Sequence, residues 1–287
     1  MSGSSDFSAK ATLRYITGQA IPTLPSLWLA LDTAVGTDAG TGFTEVSATG
    51  YARLQVAGTA TTTAGTTTAS PTVTIGGGVP AWVTANGMTG AGGTVWNKTQ
   101  NTFVGTIGTV GATSITLTAN AANAITSGDV VQISFFSDVT GSAPSQVTNG
   151  AAIQWAQTTA AWGNVIGFRL MDASSGGNLL CWDYIGAFQW LPTTITLASP
   201  GVFTAKAHGY SAGDAVEFST EYGGTAPTGG TLTGVLTVGA SPATDTFNVG
   251  VNTTSTGSGS VRKIIQQTIA INTTPSFAAT SLTITDA

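Results

Sequence analysis

The stretch FRLMDASSGGNLLCWDYIG, residues 168–186, sets two apolar runs either side of an acidic, glycine-containing turn, and it constrains the fold more than any other part of the chain. Runs this short, joined this tightly, close as an antiparallel hairpin. Asp172 is placed to accept backbone N–H bonds in the turn, and Gly176 and Gly177 permit positive φ there. The economical reading is a fold element, not a catalytic or binding site.

The same alternation of short strands and turns fits the rest of the chain, whose β-branched residues and glycines favour strands over helices. Only 7% of residues are charged, against roughly 25% in ordinary soluble domains. Thr, Ser, Gly and Asn must therefore supply the polar surface. Hydrophobic residues make up 41%, with seven Trp and eleven Phe for cores, which marks a folded chain and not a disordered one. A surface so poor in charge repels other copies weakly and suits an assembly. The eight Lys and Arg are scattered and the net charge is −5, which argues against a nucleic-acid groove. Cys181 is the single cysteine, so no internal disulfide and no Cys-rich metal site is expected. The opening MSGSSDFSAK lacks a secretory pattern, and no run of eighteen apolar residues is present to span a membrane. The sequons at Asn97, Asn252 and Asn272 then carry little weight, and the expected site of folding is a cytoplasm.

Residues 6–19 form the best helix candidate, with Ser5 or Asp6 as cap, Phe7, Leu13 and Ile16 on one apolar side, and Gly18 as terminator. Pro22 and Pro25 lead into SLWLALDTA, whose Leu27, Leu29 and Leu31 alternate with Trp28 and Ala30 as in a strand buried on both faces. Short strands follow around Phe43 to Val46 and Tyr51 to Val56. Composition shifts near residue 58, and two segments share an echo: SITLTANAANAITSGDVVQIS (114–134) and TITLASPGVFTAKAHGYSAGDAVEFS (194–219). Each runs I-T-L, a variable loop, then G-D-x-V and alternating apolar residues, Val131 and Ile133 in one, Val216 and Phe218 in the other. The expected fold is all-β: a sandwich or barrel-like host domain with two inserted small β modules and a short N-terminal helix. The division is host at 1–66, 138–192 and 264–287, with modules at 67–137 and 193–263. Two last strands separated by Pro275 are expected in the tail.

Chemistry finds little support. His208 is the only histidine and reads as a turn residue bonded to nearby backbone; Cys181 lies between apolar neighbours and reads as a buried, inert thiol. One His and one Cys cannot make a four-ligand zinc site. Calcium would need Asp32 and Asp38 approached by Asp172 or Asp183, and no EF-hand or Asp-rich repeat is present. The glycine runs TIGGGVP and ASSGGN lack the context of a nucleotide loop. The tryptophans read as core or interface residues before sugar platforms. No catalytic, cofactor-binding or metal-binding residue is assigned, no cofactor is expected, and the chain is not expected to be an enzyme.

The stretch LWLALDTAVGTDAGTGFTEVSATGYARLQV resembles the opening of a family of tailed-bacteriophage virion proteins, often labelled tail-fibre proteins. The segment VTNGAAIQWAQTTAAWGNVIGFRLMDASSGGNLLCWDYIG and the ending SFAATSLTIT are similar to its later elements. The resemblance covers about 27–57, 146–190 and 265–286, interrupted by the two modules. It implies a virion protein of a tail fibre, tail adaptor, or head decoration or spike base, assembled in the host bacterial cytoplasm, and it carries no catalytic residues. Implied partners are other virion proteins of the tail, portal adaptor or capsid, with a homo-oligomer expected; neither nucleic acid nor membrane is. The alternative is a receptor-binding protein contacting host surface glycan.

Overall fold

The computed structural model describes residues 3–20, 26–141 and 145–285. Pro22 and Pro25 lie outside the described residues. The chain is nearly all β, with a short N-terminal helix, Asp6–Ile16. Ser5 caps that helix, its hydroxyl accepting the Ser8 N–H at 3.1 Å. The expected apolar side divides. Phe7 packs against the main core, whereas Leu13 and Ile16 are 62% and 72% exposed. Only the first turn is anchored: Gly3–Ser4 pairs with Trp182 and Cys181, and Ser8 Oγ donates to the Leu180 carbonyl at 2.6 Å. Beyond that turn, apart from the half-buried Ala11, the helix is exposed among the described residues.

The strand Ser26–Ala34 is buried on both faces, as its alternation requires. Leu29 and Leu31 enter the large core, while Trp28 and Ala30 face a second cluster. It pairs with Gly167–Met171 on one side and Leu54–Thr61 on the other. Gly167–Met171 continues into the hairpin with Leu179–Tyr184. In the other direction the sheet runs through Val130–Ser134, Thr94–Asn97, Thr102–Val110 and Ser114–Leu117 to Thr72–Thr74. It curls until Ile75 bridges Thr62 and the Gly76 N–H donates to the Thr61 carbonyl at 2.7 Å. Six strands thus close a small barrel, one of them the strand Leu54–Thr61 that also pairs with Ser26–Ala34. The barrel interior, including Val73, Ile107 and Ile115, belongs to the same core as Leu29 and Leu31.

Residues 191–264 build a separate six-stranded sheet, ordered Val235–Thr237, Ala215–Ser219, Gly257–Ile264, Leu191–Ile195, Val202–Thr204, Thr246–Asn248. Its ends meet where the Gly239 N–H donates to the Asn248 carbonyl at 2.7 Å. Phe203, Val216, Phe247 and Val261 fill its own core. Ala215 and Ile264 pack on Trp182, Tyr184 and Met171 at the joint with the large sheet. There the Arg262 guanidinium lies 5.1 Å from the Tyr184 ring and 4.5 Å from the Trp190 ring. The closing segment zips antiparallel along residues 146–165 in three short ribbons, through Gln267–Ile269, Ser276–Phe277 and Thr283–Thr285. Pro275 separates the first of these strands from the second.

The sequence echo is one turn built twice. Gly128 and Gly213 take φ of 94° and 86°, the left-handed region that glycine tolerates. Asp129 accepts the Thr126 N–H at 2.8 Å, and Asp214 accepts the Ser211 N–H at 2.8 Å, each three residues back. Both turns feed strands whose alternate residues, Val131 and Ile133, Val216 and Phe218, are buried. The copies differ in load. Asp129 also accepts from Asn97 Nδ2 at 2.7 Å and Gln100 Nε2 at 2.9 Å. Asp214 instead meets the Lys263 ammonium at 2.7 Å, at the surface. Asp129→Ala strands the fully buried Asn97 amide and should cost about 2–3 kcal/mol, whereas Asp214→Ala should cost about 1 kcal/mol or less. Denaturant unfolding of the two variants checks the asymmetry, and equal losses would contradict it.

Candidate functional site

The stretches that carry the family resemblance converge on one cluster of charges. Asp32 ends the buried part of Ser26–Ala34, and Glu45 lies on the short strand Thr44–Glu45 paired beside it. Arg169 projects from the neighbouring Gly167–Met171. Its Nε reaches both oxygens of Asp32 at 3.0 and 2.8 Å, and its Nη2 reaches Asp32 Oδ1 at 2.7 Å and Glu45 Oε2 at 3.1 Å. Arg53 grips the same Glu45 through Nε at 2.9 Å and Nη2 at 2.7 Å. The Tyr51 hydroxyl donates to Glu45 Oε1 at 3.1 Å and accepts the Leu31 N–H at 2.8 Å. The Phe43 ring covers the Arg169 guanidinium at 4.8 Å.

Arg53 extends the cluster to the hairpin. Its Nη1 donates to the carbonyls of Ala173 and Gly176 at 2.9 and 2.8 Å. Asp172 closes the turn from within, accepting the Asn178 N–H at 2.6 Å and the Asn178 side-chain amide at 2.7 Å. Gly176 and Gly177 have φ of 56° and 80°. The Asp172 carboxylate and the Ala173 and Gly176 carbonyls are thus occupied by the chain itself. The role of Arg53 is not visible in the sequence, since 120 residues separate it from the carbonyl it holds.

Electrostatics follow from burial. Asp32 has no exposed surface, and burial pushes its carboxyl up to about 6 against the opposing hydrogen bonds and charge of Arg169. Burial also acts to raise Glu45, but the hydrogen bonds and charge of Arg53, with Arg169, hold it below its ordinary value. Burial raises the Tyr51 phenol as well. The cluster is a set of saturated ion pairs.

The other candidates lie apart. Asp38 accepts from Trp182 Nε1 at 2.8 Å, away from the Asp32 pair. Among the described residues no group of three His, Cys, Asp or Glu is placed to hold a metal ion. His208 accepts the Tyr210 N–H on Nδ1 at 2.9 Å and packs against Phe247, as a turn histidine does. Burial, with the nearby Asp183 charge, pushes the Cys181 thiol up to about 12, which disfavours the thiolate at neutral pH. Trp155, Trp162 and Trp182 are 3%, 4% and 6% exposed and serve the cores.

Surface clefts formed by the described residues include the following two. One, of about 460 Å³, lies between the first helical turn and the hairpin, lined by Lys10, Asp38, Arg53, Arg169 and Asn178 among others. The other, of about 480 Å³, lies under the closing segment, with Leu31, Trp155 and Phe277 among its lining. Among the described residues no helix is long and apolar enough to cross a membrane.

A family model described as podophage GP4 fiber I protein gp80 matches residues 92–190. The match runs from the barrel strand Thr94–Asn97 to the end of the hairpin, and includes Arg169 and Asp172. Over that stretch the chain is similar to a phage fibre protein. No curated protein matches the chain. Among solved structures it is similar to a phage phi92 endosialidase, with 18% identity over 42% of this chain and 20% of that one, at a TM-score of 0.20. The chain therefore spans about a fifth of that protein's length.

The charge cluster has a pH signature. The folded value of Asp32 lies above its unfolded one, so its contribution to stability is full below about pH 4 and is lost as pH climbs through about 6. Glu45 runs the other way, its contribution lost on acidification. Asp32→Asn removes the first dependence alone. Between pH 4 and 6 the unfolding free energy of the variant should therefore rise relative to the parent, by up to about 3 kcal/mol. Denaturant unfolding across that window measures the difference, and parallel profiles would sink the assignment.

Proposed function

We propose that the chain is a structural subunit of a tailed-phage virion, on a tail fibre, tail adaptor or head decoration, working through protein–protein contacts and self-association. The observation that carries this reading is the N-terminal helix. It has no buried residue, and Leu13, Tyr15 and Ile16 are 62–72% exposed. An isolated helix of this length is marginal in water, so a partner surface is needed to hold its distal turns. The helix also carries Lys10 and Arg14 on a chain of net charge −5, which favours docking on a second copy. The fibre-family match over residues 92–190 supports the same class. The second cleft favours an additional role, contact with host surface glycan.

Leu13→Asp with Ile16→Asp should leave the melting temperature within a few degrees of the parent and shift sedimentation at micromolar concentration from oligomer to monomer. Cryo-EM of the intact particle locates the subunit. A parent chain that sediments as a monomer and occurs as single copies in the particle would refute self-association.

We further propose that residues 193–263 are an appended module. Leu191 pairs with Val261 and Ala187 bridges Ile264, so entry and exit strands run side by side at its neck. A short Gly-Ser bridge there adds little loop-closure cost, about 0.6 kcal/mol per doubling of length. The bridged deletion should keep a cooperative melt while gaining binding of a hydrophobic dye, because Trp182 and Tyr184 lose the cover of Ala215 and Ile264. A non-cooperative melt would overturn the division.

A further inference from the structure

We propose that the cleft under the closing segment is a binding site for a neutral saccharide. It has a volume of about 480 Å³, within the range of small-molecule sites. Its base is fixed by the buried Leu31 and Trp155, and the apolar surface it presents comes from the half-buried Ile185, Pro275 and Phe277, the last 6.2 Å from the Trp155 ring. Trp155 is held by its Nε1 donating to the Ala52 carbonyl at 3.0 Å and its N–H donating to the Pro275 carbonyl at 2.9 Å. The rim is polar and only partly occupied by the chain, with Thr268, Thr273 and Ser281 donating to Asn164, Ala270 and Ala278. Gln267, Thr274 and Ser276 line it with side chains that hydrogen-bond to no described residue.

This combination selects the ligand by elimination. No charged residue lines the cleft, so an anionic or cationic group would lose hydration without gaining a partner. A purely apolar ligand would cover the rim amide and hydroxyls and leave them unsatisfied. A neutral sugar ring offers both an apolar C–H face for the floor and hydroxyls for the rim. An extended peptide fits less well, because the strand Ser276–Phe277 is already paired with Ile153–Gln154 and is two residues long. The inference deepens the glycan-contact reading above, and stands or falls separately from the subunit's place in the particle.

The test applies the full chain to an array of neutral and acidic bacterial surface saccharides. The expected result is retention on neutral saccharides only, reduced tenfold or more by Ser276→Trp, which fills the exposed rim, and less strongly by Gln267→Ala. Near-ultraviolet circular dichroism checks that both variants keep the parent fold, and Gln267→Ala carries the test alone if Ser276→Trp does not. Leu197→Ser, at an exposed position of the separate sheet of residues 191–264, should leave retention unchanged. Failure to retain any neutral saccharide, or retention indifferent to both cleft variants, overturns the proposal. A change in sedimentation on Ser276→Trp would reassign the cleft to a contact between copies. Each of these outcomes leaves the virion reading itself intact, since cryo-EM decides that separately.

Discussion

The ion pair between Asp32 and Arg169 is the constraint on which the central sheet turns. Asp32 is fully buried and Arg169 nearly so, on neighbouring strands. Removing one partner of such a pair leaves an uncompensated buried charge, at a cost of about 3–5 kcal/mol. A one-residue slip of Gly167–Met171 against Ser26–Ala34 would do the same, because it sends every side chain to the opposite face. The pair therefore fixes register. Glu45 then joins Arg169 to Arg53, and Arg53 holds the hairpin carbonyls, so the register of the sheet is passed to a turn outside it. Phe43, Tyr51 and the Leu31 N–H close the cluster from the sides.

Much of this fold was legible where the information is local. The hairpin at 168–186 follows from its turn residues, and the repeated G-D turn from a glycine that must take positive φ beside an aspartate that accepts the amide three residues back. The two-faced burial of SLWLALDTA follows from its uninterrupted apolar residues. What stayed hidden depends on distant partners. Leu197 completes the I-T-L of the second echo yet is 62% exposed, whereas its counterpart Leu117 is 4% exposed. The strand Leu191–Ile195 ends before Leu197, and the strand Ser114–Leu117 does not end before Leu117. Closure of the first barrel rests on Thr62 meeting Ile75, a contact between threonine-rich segments whose composition reads as linker. The candidate site divides the same way. Glu45, Tyr51 and Arg53 stand in the recognised T-E-V-S and G-Y-A-R stretches, but only the tertiary fold brings Arg169 to them. The cleft under the closing segment is assembled from residues as far apart as Leu31 and Ser281.

The two barrels share a turn but not a mode of attachment, and the difference has mechanical consequences. The first barrel includes Leu54–Thr61 itself and continues the large core, so it cannot open without opening the sheet. The second hangs from a two-strand neck with its own core, and meets the sheet through a few residues and Arg262 lodged between Tyr184 and Trp190. Local opening is therefore expected at that neck before anywhere in the central sheet.

The scarcity of charge acquires a physical meaning from where the charges sit. Arg53, Arg169, Arg262 and Lys263 are four of the eight basic residues, and each is in an ion pair within the chain. Arg53, Arg169 and Arg262 hold strands and modules together from partly or largely buried positions, while the Lys263 pair lies at the surface. What remains outside is mostly threonine, serine, asparagine and glycine with isolated apolar residues and a few scattered charges such as Lys98 and Lys206, a surface with little long-range field. Away from Lys10 and Arg14 of the helix, contacts made through such a surface gain little from electrostatic steering and lose little to screening by salt. Any contact covering the exposed Leu13, Tyr15 and Ile16 would therefore depend chiefly on shape and on the apolar area it buries.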